Sequence, residues 1–163
     1  MFHPKDRYQK GFTLIELICV IILLGILSVG AYLQWPGSSI NSGAQAQQVA
    51  NDMRYTQALS MTKGKRYSFV ITSSTTYQIQ NSSGTAIITA MGGTTTTLNT
   101  GLSFGTLSNL PNNLVTFDGN GIPYSTTGTP GTVLSATASI PITGGSITQT
   151  ITITPMTGRI LVQ

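Results

Sequence analysis

The sequence predicts an α+β chain: a long N-terminal helix, half of membrane type and half amphipathic, packed on a C-terminal antiparallel β-sheet domain. Three observations predict it. From Phe12 to Leu33 the only charged residue is Glu16. At ~1.5 Å per helical residue that run spans about 33 Å, against a bilayer core of roughly 30 Å. Beyond it, Ala46, Val49, Ala50, Met53 and Gln57 fall on one face of a second helical segment. From Tyr67 onward, apolar residues alternate with Ser and Thr, the period of a half-buried strand.

The reading divides the chain into a leader (1–11), an apolar helix (12–35), an amphipathic helix (36–64) and a β-rich head (65–163). Lys5, Arg7 and Lys10 precede the apolar run, and no Lys or Arg follows it until Arg54. That asymmetry places the N-terminus in the cytoplasm and the head outside, as a single-pass membrane protein. A cleaved secretory signal is the rival, with Val29-Gly30-Ala31 as its cut site, but its apolar region would be only about 7–15 residues long. Tyr32 and Trp35 stand like an interfacial aromatic belt. Charged residues make up 7% of the chain, and Thr, Ser, Gly and Asn carry the polarity. Such a mix suits an extracytoplasmic β-rich domain better than a cytosolic enzyme. Half of the formal charge of +4 belongs to the leader, so the net charge says little about nucleic acid. Cys19 is the one cysteine, which rules out an intrachain disulfide and leaves it as a small hydrophobe in the apolar run.

Pro36-Gly37-Ser38-Ser39 reads as a break, with Ser38 or Ser39 capping the second segment from about Ile40 to Met61. Lys63-Gly64-Lys65-Arg66 is a helix stop, in which Gly64 can take the left-handed conformation. Tyr67–Thr72 and Thr76–Gln80 are strand-like, Asn81–Gly84 is a turn, and Thr85–Thr89 is expected as a third strand. Residues 91–101 give no clear signal. Leu114–Phe117 is a strand, Asp118–Gly121 a turn, and Ile122–Tyr124 follows. Leu134, Ala136, Ala138, Ile140 and Ile142 alternate as one strand, and Ile147, Ile151 and Ile153 as the next, with Gly144-Gly145 making the hairpin. Pro155–Gly158 then turns into a last strand, Arg159–Val162.

Glu16 is the odd residue of the apolar run. An acid at a helix centre costs about 2.5–3.5 kcal/mol to insert, less near an end, and such groups are usually paired. A cut after Gly11 would create a positive amine on Phe12, one helical turn from Glu16 or beside the Glu of a neighbouring copy. The plainer reading is a membrane-edge carboxylate that reaches water. Lys10-Gly11-Phe12-Thr13-Leu14-Ile15-Glu16, with the apolar run after it, resembles the prepilin peptidase site of type IV pilins and type II secretion pseudopilins. The resemblance implies cleavage between Gly11 and Phe12, methylation of Phe12, and Glu16 pairing with a neighbour's N-terminus during filament assembly. Many major pilins have a Pro where Leu33 stands; here the first Pro after the leader is Pro36, and the C-terminal disulfide of many type IV pilins is missing.

A second resemblance covers the head. Asp52–Ser60, Val115–Pro123 and Ile151–Val162 are similar to the helix end, the strand and turn, and the C-terminal hairpin of the GspH/FimT family of minor pilins and pseudopilins. The pattern is shared with minor pilins of mannose-sensitive-haemagglutinin-type pili, which leaves the subfamily open. It implies as partners the inner membrane, other pilins or pseudopilins, prepilin peptidase and an assembly platform, in a pseudopilus or an extracellular pilus.

Catalysis finds no foothold. His3, the single histidine, lies in the leader, and no base stands beside a nucleophile. No cofactor or metal is expected. Asp118-Gly119-Asn120-Gly121 starts like a calcium loop but lacks the later oxygens and the Glu, and a β-turn is the simpler account. Lys63, Lys65 and Arg66, beside Tyr67 and Phe69, form a candidate nucleic-acid contact, to which the resemblance to FimT-type minor pilins, some of which bind DNA through a basic C-terminal tail, adds Arg159. The alternatives to a filament subunit are therefore a DNA-binding minor pilin for uptake, and a single-pass membrane β-domain with no filament role.

Overall fold

The computed structural model describes residues 12–33, 37–89 and 92–163, with side chains for 12–27, 41–89 and 92–163. Gly11, Lys10, Trp35 and Pro36, the side chain of Tyr32, and the readings that rest on them lie outside the described residues. The chain divides after residue 36 into two compact units.

The first unit holds α1 (Leu14–Leu33), 20 residues and so about 30 Å long. Thr13 starts it. Its hydroxyl accepts the Glu16 N–H at 3.4 Å, and its carbonyl accepts that of Leu17 at 3.2 Å. Among the described residues no helix is long and apolar enough to cross a membrane.

In the second unit α2 (Gly37–Lys63) packs on two antiparallel sheets. It begins earlier than expected, so Ser38 and Ser39 lie inside its first turn instead of capping it. At the far end Gly64 has φ 61°, and the Lys65 N–H reaches back to the Ser60 carbonyl at 3.3 Å, a Schellman closure.

The head contributes β1 (Tyr67–Ile71), β2 (Thr76–Gln80), β3 (Thr96–Thr97), β4 (Leu102–Phe104), β5 (Leu114–Phe117) and β6 (Pro123–Tyr124). After these come β7 (Ala138–Gly144), β8 (Ile147–Ile153) and β9 (Ile160–Val162). One sheet has the order β3-β2-β1-β5-β6 and the other β4-β7-β8-β9. The β7–β8 hairpin sets Ile140 opposite Ile151 and Gly144 opposite Ile147, and Gly145 takes the left-handed turn position at φ 62°.

Two expected strands change. Thr85–Thr89 is not a strand. Asn81 Oδ1 accepts the N–H groups of Ser83 and Thr85 at 2.9 and 3.0 Å, and only Ala86 bridges back to Gln80. The chain then turns, with Thr89 N–H on the Gly93 carbonyl, and Ile88 is left exposed. Leu134 and Ala136 do not belong to β7, because the Leu134 N–H is bonded to the Pro123 carbonyl in the other sheet.

Ala46, Val49, Ala50 and Met53 of α2 are fully buried, as their spacing predicts. Thr56 and Ser60 extend the same face because their hydroxyls donate to the carbonyls one turn back, at 2.7 and 2.9 Å, which satisfies them without a partner from the sheets. Phe69 stacks on Tyr77 at 4.8 Å, and Phe104 of the second sheet meets the Tyr77 ring edge-on at 6.1 Å. The aromatic trio thereby joins the two sheets.

Three distant stretches meet at Gln57. Its Nε2 donates to the Gly121 carbonyl at 2.9 Å and the Thr157 carbonyl at 3.2 Å. A Cβ on Gly158 (φ +62°) would lie 2.5 Å from that nitrogen and 2.6 Å from the Gly121 carbonyl oxygen. Gly158→Ala is therefore expected to lose about 1–2 kcal/mol from its left-handed backbone and more from the clash. Gly84→Ala, equally left-handed at φ +75° but with open space around it, loses only the backbone part. Denaturant unfolding of the two variants checks this; equal losses would remove the close approach from the account.

Candidate functional site

Three side-chain carboxylates follow Gly11 in the sequence, and the second unit accounts for two of them. Asp118 turns the chain between β5 and β6. Its Oδ1 accepts the N–H groups of Asn120 and Ile122, each at 2.9 Å, and its Oδ2 accepts the Tyr124 hydroxyl at 3.3 Å. That is a β-turn with its oxygens in use. Asp52, on the buried side of α2, accepts the Tyr77 hydroxyl at 2.6 Å. Burial first, and then the bond and charge of Asp52, push the Tyr77 phenol well above its ordinary range. Among the described residues no group of three or more His, Cys, Asp or Glu could hold a metal ion.

Glu16 differs from both. It is exposed in the first turn of α1, and its carboxylate has no partner among the described residues. Around it α1 is apolar on every side: Phe12 is 85% exposed and Leu14 76%, and the side chains from Ile15 to Leu27 are exposed too. A helix apolar all round has no solvent face and calls for an apolar environment or like neighbours. Thr13 and Glu16 also carry a capping-box spacing, of which only the Thr13 half is made. The Thr-x-x-Glu pattern was visible in the sequence, yet the helix start attributed to it comes from the structure.

The candidate nucleic-acid residues separate. Lys63, Lys65 and Arg159 are exposed and make no side-chain hydrogen bond or ion pair among the described residues. Arg66 is engaged: its guanidinium lies 4.2 Å over the Tyr124 ring and donates to the Gly128 carbonyl. Phe69 is fully buried and offers no face to a base. Tyr67 is half-buried, so of the two aromatic residues beside this basic cluster only Phe69 is withdrawn as a stacking platform.

The three head motifs read from the sequence, around Asp52–Ser60, Val115–Pro123 and Ile151–Val162, are the stretches that Gln57 ties together. A family model for the type II transport protein GspH matches residues 45–158. The chain belongs to the GspH family. A second model, the prokaryotic N-terminal methylation motif, matches residues 6–32 and so spans Gly11, Phe12 and Glu16. The head shares its fold with the type IV minor pilin FimU of Pseudomonas aeruginosa strain PAO1. One crystal form gives a TM-score of 0.55 at 14% identity, covering 75% of this chain and 87% of that one. Another gives 0.52 at 14%, with 74% and 91% covered. No curated protein matches the sequence. The GspH family is one of structural pilins and pseudopilins rather than enzymes, and membership implies other pilins and prepilin peptidase as partners.

Tyr77→Phe leaves the Asp52 carboxylate buried without its donor, and is expected to cost about 1.5–3 kcal/mol. The raised phenol adds a pH signature. Below about pH 10 the phenol is protonated in both folded and unfolded chains. Above it the unfolded chain releases its proton first, so stability falls with pH. Thermal midpoints at pH 8 and pH 11 check this: the alkaline fall beyond that shared by other tyrosines should vanish in Tyr77→Phe.

Proposed function

We infer that this GspH-family chain is a minor pilin or pseudopilin subunit. Prepilin peptidase cuts it after Gly11, Phe12 is methylated, and Glu16 pairs with a neighbour's N-terminus as the subunit enters a type IV pilus or a type II secretion pseudopilus. Before assembly the run from Phe12 holds it in the inner membrane, with the leader in the cytoplasm and the head outside. The division into leader, apolar helix, amphipathic helix and head belongs to the same reading, as does the absence of catalysis. One observation carries it: the methylation-motif match at 6–32 falls on an all-round apolar helix whose one carboxylate lacks a partner among the described residues. Leaving lipid for a filament exchanges lipid contacts for helix–helix packing, and the unpaired carboxylate gives that packing a register.

Intact mass of the membrane-purified protein, with and without prepilin peptidase, tests the processing. Loss of residues 1–11 plus one methyl group is expected; an uncut chain would sink the reading. The assembly role is separated from helix capping by two substitutions. Glu16→Gln keeps a side chain able to complete a capping box but removes the charge. If pairing is what matters, Glu16→Gln and Glu16→Ala both abolish incorporation while the head stays folded. Wild-type incorporation of Glu16→Gln would refute the pairing.

A further inference from the structure

Near the start of β1, between the Asn81–Gly84 turn and the loop after β6, the head holds a cleft of about 500 Å³. That volume is within the range of small-molecule sites. Its walls hold no hydrophobic side chain. Arg66, Ser68, Gln80, Asn81, Ser83 and Thr127 line it. The one charge in the lining is the Arg66 guanidinium, which forms no ion pair among the described residues.

Several of these groups are held by neighbouring contacts. The Tyr124 ring and the Gly128 carbonyl hold the guanidinium plane, and Thr129 Oγ1 lies 3.5 Å from Nη1. The remaining Arg66 N–H groups have no partner among the described residues. Asn81 Oδ1 is spent on the turn, which leaves its amide N–H groups to donate. Gln80 donates to Gln78 Oε1 at 3.3 Å, leaving its own Oε1 to accept. Ser68 Oγ is paired with Thr116 Oγ1 at 2.7 Å.

The geometry points to this cleft as a binding site for an acidic saccharide, with a sugar-ring carboxylate on Arg66 and ring hydroxyls on Gln80, Asn81, Ser83 and Thr127. The match is one of chemical inventory. A planar guanidinium recognises a carboxylate through two parallel bonds. Hydroxyl and amide groups both donate and accept, as sugar hydroxyls do. A single cation does not serve a nucleic-acid backbone, which needs several.

The full-length protein in detergent micelles, labelled with ¹⁵N, tests this by titration with trigalacturonate, its methyl ester and sodium sulfate. Trigalacturonate should shift the amide signals of 80–84 and 127–129 with an affinity on the order of 1 mM. The uncharged ester should bind at least about tenfold more weakly, the effect of losing one charge-assisted bond. Arg66→Lys keeps the charge but loses the fork and should weaken binding similarly; Gln80→Ala, which does not touch the Arg66 contacts, should weaken it without moving the 127–129 signals of the free protein. No shift at 80–84 overturns the proposal. Equal binding of the ester removes the role of the carboxylate, and sulfate binding as tightly as trigalacturonate makes this a simple anion site and overturns the saccharide.

Discussion

Gln57 projects from α2 to two carbonyls in turns of different sheets, Gly121 after β5 and Thr157 after β8. Both turns can come that close only because they lack side chains at the contact. Gly158 sits against the Gln57 amide, and a Cβ on Gly119 would stand 3.2 Å from the Cα of Gly64 at the helix stop. The end of the helix and the two turns therefore fix one another. The five-stranded and four-stranded sheets share no ladder; they are oriented by this polar junction and by the Phe69, Tyr77 and Phe104 rings. Hydrogen bonds to backbone carbonyls are directional, whereas apolar packing tolerates sliding. The junction sets the register that burial alone would leave loose.

Local rules made most elements legible. α1, β1, β2, β5 and the β7–β8 hairpin follow from runs whose period is unambiguous, and Gly64, Asp118 and Gly145 stand where their turns require them. What failed was pairing. Thr85–Thr89 has strand composition, but the Asn81 side chain and the next turn leave room for a single bridge. Leu134 matches the alternation of β7 and yet belongs to Pro123. That the strands form two sheets was equally hidden, because a period of 2 says which face is buried and not which strand lies beside it. At the site, Glu16 stands out by composition. The Asp52–Tyr77 bond joins residues 25 apart, and neither has a local reason to be singled out.

The two units solve the same problem in opposite ways. The head buries its apolar residues in itself: every fully buried large side chain lies between Gln45 and Ile153. Thr56 and Ser60 of α2 are satisfied within the helix, Gln45 Oε1 accepts the Asn99 N–H while its buried Nε2 has no partner among the described residues, and the Asp52 carboxylate is met by a phenol. The described side chains of α1, up to Leu27, are all exposed within their own unit. At about 25 cal/mol per Å² of apolar surface, such a helix is stable only where other apolar matter surrounds it. An exposed Leu is ordinary in a protein surface, but an unbroken exposed series from Phe12 to Leu27 is not.

Into that series one charge has been set, and its position matters. Glu16 lies in the first turn of α1, where the helix dipole favours an anion by about 0.3–1 kcal/mol. Removing a carboxylate from water toward an apolar medium costs about 2.5–3.5 kcal/mol at a helix centre. Even allowing for a smaller cost near the end, the dipole by itself compensates only if the carboxylate keeps some water. Packing apolar helices side by side removes that water. The balance then favours the arrangement that brings a positive group to Glu16, and a new amine on Phe12 would lie within one turn of it. Under the proposed processing the two steps would be coupled: the cut that removes the basic leader would also create the charge that lets the carboxylate be buried.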